Sequence, residues 1–172
     1  MTDAVEPDPG VARRVSRLLI TEESVYGLIL VSGMIVVSNN LTGTSLNALA
    51  TVAVTVLVFF AAHVYAGTLA RLAKERADGG LRASFMAAVH HSEGMLLASI
   101  APLLVLLLGV VNVLDDDTAI WSALIVDTLL LGVLGWLAVA RWTPRFWLRL
   151  SSALITAAFG GVIILLKSLI HH

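Results

Sequence analysis

Six ionisable side chains fall within or beside long apolar stretches, and their types suit cation chemistry: Glu22, Glu23, His63, His90, His91 and Glu93. Carboxylate together with neutral imidazole is a ligand set for divalent transition metals such as iron, manganese or zinc. The same groups can pass protons, because histidine titrates near neutral pH. In a helix, His90 and Glu93 share a face at i, i+3, whereas His91 points about 100° away. His90 is therefore expected to look with Glu93 at a common site. Glu23 meets Tyr26 at i, i+3 and Glu22 meets it at i, i+4, which puts Tyr26 on an ion pathway.

Depth supports convergence. His63 lies eight residues before Arg71 and His90 eight residues after Arg82. Each is then about 12 Å into a membrane from the basic end, with Glu93 one turn deeper. Glu22 and Glu23 follow Arg17 by five and six residues, roughly 8 Å in. The expected metal set is Glu22, Glu23, His63, His90 and Glu93, in the inner half of the bilayer. Asp127, in a later apolar run, is an outer station on the ion pathway. Ionisable groups at such depth are expensive and mark function by default.

Two other readings use the same residues. His63 with His90 or His91, on adjacent helices at matched depth, meets the demand of a bis-histidine haem b in an electron-transfer subunit or membrane anchor. Gly67 and Gly94 would make room for the ring. Alternatively the cluster cements a non-catalytic accessory or assembly subunit. Bland roles also stand beside each residue. Glu22 and Glu23 can pair with Arg13 or Arg17, and His63 can be a packing histidine. Asp127 can neutralise Lys167 or hold an interhelical hydrogen bond. The outer Asp115–Asp117 run reads as a solvated loop.

No catalytic residue is assigned. The chain has no cysteine, which excludes disulfides, thiolate metal sites and cysteine nucleophiles. It has no GxSxG elbow and no HExxH motif. Ser32 and Ser92 are available, but no positioned triad is readable. A Gly-rich phosphate loop is missing too, so an enzyme is not expected.

The elements that must hold these groups are membrane helices. Of 172 residues, 58% are hydrophobic and only 13% charged, and mean hydropathy is +0.92. A soluble domain carries about a quarter charged residues, so lipid must cover much of this surface. The apolar runs predict five spans, at about 18–39, 46–70, 84–114, 119–140 and 149–168. Residues 1–10, acidic and holding Pro7 and Pro9, predict a short disordered cytoplasmic tail and no signal peptide. Residues 11–172 form one transmembrane domain. Turn chemistry separates the runs at Ser38–Asn40, Asp78–Gly80, Asp115–Asp117 and Thr143-Pro144. With connections this short, the fold class is all-α: a polytopic bundle of five antiparallel helices.

Ten of the eleven Lys and Arg residues fall before the first span, between the second and third, or between the fourth and fifth. Positive-inside bias then puts the N-terminus in the cytoplasm and the C-terminus outside. Trp142 and Trp147 flank the last inner loop and Trp121 opens the fourth span outside, at headgroup level. Ala62, Ala66 and Ala70, and Ala157 with Gly161, have the small-residue spacing of close helix contacts. The expected setting is a multi-pass protein of a prokaryotic cell membrane. Its partners are the lipid bilayer and either further copies of itself or a partner membrane subunit, with no nucleic acid. Five spans with acidic residues opening the first resemble the vacuolar iron transporter group. That group carries a cytoplasmic metal-binding helical insertion, for which Ala73 to Gly80 leaves no room, so no family is assigned.

Overall fold

The computed structural model describes residues 21–74 and 80–170, and these are organised as five helices with no strand among them. They are α1 (Glu22–Thr42), α2 (Ser45–Lys74), α3 (Gly80–Val110), α4 (Asp116–Ala140) and α5 (Phe146–Ile170). Four of them, α2 to α5, are long and apolar enough to cross a membrane. The protein is thus a multi-pass membrane protein of helical build. The tail at residues 1–10 and the arginines at 13, 14 and 17 lie outside the described residues, as does most of the turn at 78–80.

The least apolar helix is the one most enclosed. α1 opens with two glutamates and carries Asn39 near its end, and it packs against all four of the others. Leu28, Val31 and Ile35 on α1 have no exposed surface, and Glu23, Ser24, Ser32 and Ser38 are buried with them. Long apolar helices can face lipid, whereas a helix with this many polar groups needs protein around it. The outer helices show the complement: Leu57, Val58, Leu104, Leu129, Leu154 and Phe159 are all exposed on the bundle. Apolar side chains so placed are what a lipid-facing surface requires.

Local signals set the ends. The Thr21 hydroxyl accepts from the Ser24 amide, capping α1, and Glu22 and Glu23 suit the positive end of its dipole. Gly43 stops the helix at φ +66°, a left-handed conformation glycine adopts without strain. At the start of α4, Asp115 accepts from the Thr118 amide at 2.9 Å. Next to it, Asp116 accepts from the Ser45 amide at 2.8 Å, so one aspartate ties the beginning of α4 to the beginning of α2. At the other end of α4, Arg149 donates to the Thr143 and Ala140 carbonyls at 2.9 and 3.3 Å. A guanidinium on the last carbonyls of a helix satisfies acceptors that have no partner within it.

Two apolar clusters fill the core. One joins Val31 and Ile35 of α1 to Val52, Leu106 and Leu124. The other joins Leu28 to Ala98, Leu131 and Leu134. α4 and α5 approach closely through glycine: Ser152 donates to the Gly135 carbonyl at 2.9 Å, and Gly160 faces Thr128. The small-residue stripe expected at Ala157 and Gly161 is half right in its register. Ala157 faces Gly132, but nothing lies within 4 Å of where a Gly161 side chain would project. Gly160, one residue earlier, is the packing position.

Candidate cation site

The first turn of α1 sets two adjacent carboxylates in different surroundings. Glu22 is exposed, whereas Glu23 is turned inward and only 4% exposed. Adjacent residues on a helix point about 100° apart, so one of the pair can face the bundle while the other stays at its edge. α3 supplies the imidazole: His91 Nε2 lies 2.7 Å from Glu23 Oε1. One ligand atom from each of Glu22, Glu23 and His91 falls within 4.8 Å of the other two. Ligand atoms bound at about 2.0–2.2 Å to one ion stand roughly 3–3.5 Å apart. The three groups are therefore near the spacing of a shared cation, and small side-chain rotations close the difference.

The second oxygen of Glu23 is the singular feature. Oε2 is buried and has no hydrogen-bond partner among the described residues. A buried carboxylate oxygen without a donor is destabilising by about 1–3 kcal/mol or more, since its water has been removed without replacement. It is an open ligand position beside the cluster. The surrounding cleft has a volume of about 290 Å³ and is walled by Glu22, Glu23, Tyr26, His63, His91 and Arg71. His63 of α2 thus borders the same cleft, stacked obliquely on Phe59 with ring centroids 5.3 Å apart. It stands outside the tight three-residue group. Gly67 lets α2 and α3 come together here, because a side chain at that position would meet Ala88 Cβ at 3.3 Å.

The expected set is therefore divided. Glu22, Glu23, His63 and Tyr26 border one cleft, and His91 joins them where His90 was favoured. His90 instead pairs with Glu93 on its own helix, Nδ1 to Oε1 at 2.7 Å, with 66% of its side chain exposed. The shared face of these two residues is real, but it turns away from α1. The 100° offset between neighbouring histidines, which argued for His90, selects His91 once α1 lies on the other side. Arg71, which in the sequence only marks the basic end of its span, lines the cleft as well.

Asp127 is elsewhere. It is fully buried on α4, and the Ser32 hydroxyl of α1 donates to its Oδ2. Of the roles open to it, an interhelical hydrogen bond is the one made. Among the described residues no salt bridge joins it to Lys167. That lysine is buried on α5 with Nζ 4.0 Å over the Trp121 ring, a cation–π contact that stabilises by roughly 2 kcal/mol when desolvated. Ser32 drew attention only as a hydroxyl without a triad. The signal for its role was a lone serine within the apolar part of the most polar helix.

Neither a protein-family profile, nor a curated protein, nor a solved structure matches the chain.

Proposed function

We propose that the protein handles divalent transition-metal cations, binding them in the inner half of the membrane through Glu22, Glu23 and His91, with His63 bordering the cleft. The observation that carries this is Glu23: buried, one oxygen on His91 and the other with no partner. A cation supplies what that oxygen lacks, and two carboxylates beside an imidazole suit iron, manganese or zinc. In the full proposal α1 is a fifth span, and the helices alternate in direction with the N-terminus inside. Enclosure of α1 by the other four supports a crossing despite its polar ends. The pairing of Gly132 with Ala157 and of Thr128 with Gly160 supports opposite directions for α4 and α5. Movement of the cation across the membrane, as transporter or channel, is the activity such a site would serve.

The haem reading fares less well. A ring between His63 and His91 would need the His91–Glu23 contact broken and two carboxylates left beside an apolar cofactor. An accessory subunit held together by the cluster is the other outcome.

The test is titration of the purified chain in detergent with Zn²⁺ and Mn²⁺ by calorimetry, followed by flux into proteoliposomes. Saturable binding is expected, weakened roughly 100-fold in Glu23→Gln, at the upper end of the 10–100-fold that loss of a ligand's supporting partner brings. Binding that is absent, or unaltered in Glu23→Gln and His91→Ala, would put the accessory reading ahead. Binding without flux would reduce the function to metal binding alone.

A further inference from the structure

The bundle holds a second buried carboxyl group that the cation cleft does not use. Asp127 lies between the two apolar clusters of the core: Leu124 precedes it by one turn and Leu131 follows by one, both without exposed surface. On α1, Leu28 and Val31 enclose the serine that reaches it. Asp127 itself has no exposed surface, Ser32 serves Oδ2, and Oδ1 has no partner among the described residues. An ionised carboxylate offers about four acceptor positions. One neutral hydroxyl fills one of them and brings no charge.

No packed helix brings a compensating cation. α5 contributes Lys167, whose ammonium is committed to the Trp121 face and lies within the electrostatic reach of Asp117. α1 carries Glu23, nine residues before Ser32, about 13 Å along the helix. α3 has no charged residue after Glu93, and α2 has none before Arg71 apart from His63. Nearest on α4 itself is Asp117, ten residues away, and it is also acidic. A bare charge enclosed by leucine and valine would be expensive by several kcal/mol or more, and the neutral acid avoids that expense.

We propose that Asp127 and Ser32 form a proton-binding site at the junction of α1 and α4, separate from the cation cleft. In the loaded state the carboxyl is the neutral acid. Oδ2 accepts from Ser32, and the O–H on Oδ1 is left to donate to a water or other base that enters. Unloading transfers that proton to the acceptor and leaves the carboxylate. The site does not depend on the cleft's identity as a metal site.

Infrared spectroscopy of the full chain in lipid nanodiscs tests this. At neutral pH a protonated-carboxyl stretching band is expected that is absent from Asp127→Asn. In Ser32→Ala the band moves to higher frequency, because its hydrogen bond is lost. Dicyclohexylcarbodiimide, which adds to protonated carboxyls in apolar surroundings, is expected to label Asp127 in the unaltered chain. A carboxyl band identical in the parent and Asp127→Asn overturns the proposal. Should Asp127→Asn fail to fold, an Asp127 left unlabelled in the parent, or a band unmoved in Ser32→Ala, overturns it equally. Zinc titration of Asp127→Asn is expected to match the parent, so the two sites can fail independently.

Discussion

His91 Nε2 of α3 stands 2.7 Å from Glu23 Oε1 of α1, while its neighbour His90 is spent on Glu93 of its own helix. Both histidine side chains are more than half exposed, 54% for His91 and 66% for His90, but one residue of helical rotation gives them different carboxylates. His91→Ala is expected to weaken Zn²⁺ binding by at least about tenfold. His90→Ala and Glu93→Gln should leave it within a factor of about two, since an exposed pair of this kind contributes roughly 0–1 kcal/mol to anything. Equal losses in His90→Ala and His91→Ala would mean that the cleft is not the binding site. Binding should also weaken as pH falls, because carboxylates and imidazole bind metal only when deprotonated.

A second expectation concerns the α4–α5 contact. A side chain added at Gly160 would meet Thr128 Cβ at 3.0 Å, whereas one at Gly161 would meet nothing within 4 Å. Gly160→Ala should destabilise by about 1–3 kcal/mol through overpacking. Gly161→Ala should be neutral, or stabilising by up to about 1 kcal/mol from helix propensity. Thermal unfolding of the two variants in one detergent decides the register, and the reverse order would contradict it.

Asp115 shares the pH dependence at the start of α4 with Asp116, which its bonds from Ser45 also hold below the usual carboxylate range. The hydrogen bond from the Thr118 amide, with help from the Thr118 side chain, holds the Asp115 carboxyl there. A lowered folded-state value means the stabilisation is present above the unfolded value, near 4, and is lost as pH falls through the folded one. At neutral pH, Asp115→Ala should therefore lower the thermal midpoint. The difference from the parent should close on acidification below about pH 4. A gap that persists at low pH would assign the effect to something other than the carboxylate cap.

Topology can be read directly, because the chain has no cysteine to remove. Single cysteines at Leu41 and Val113 should react with an impermeant maleimide from outside intact cells. One at Ala77 should react only after permeabilisation. Labelling of Ala77 from outside, with Leu41 protected, would reverse the orientation.

Much of the helix plan was legible because composition and charge both speak to it. Apolar runs of about 20 residues with few or no charges read as membrane-helix candidates, and four of the predicted spans coincide with α2 to α5 within a few residues at most ends. The run at 84–114 starts four residues late and ends four residues late against Gly80–Val110. The turn of Asn112 at φ +57° after Gly109 is what closes that helix, and neither residue is a strong enough breaker to be read alone. The position of each site residue along its helix was legible, but not its azimuth. Rise per residue fixes where His63, Glu23 and His91 fall along their helices, but which face of α3 meets α1 is decided by packing. Gly27 against Met95 is one such contact, since a side chain at Gly27 would lie 2.8 Å from Met95 Cγ. No periodicity along one helix reports on its neighbour's choice of partner.

Enclosure of α1 by the four other helices bears on how the chain is made. α1 precedes α2 to α5 in sequence, yet of its buried polar set Glu23 meets His91 of α3 and Ser32 meets Asp127 of α4. During synthesis α1 is thus poorly suited to contact with lipid before those helices arrive. The partner of Ser32 comes 95 residues later. Truncation before α4 should leave α1 a substrate for membrane quality control rather than a smaller version of the bundle.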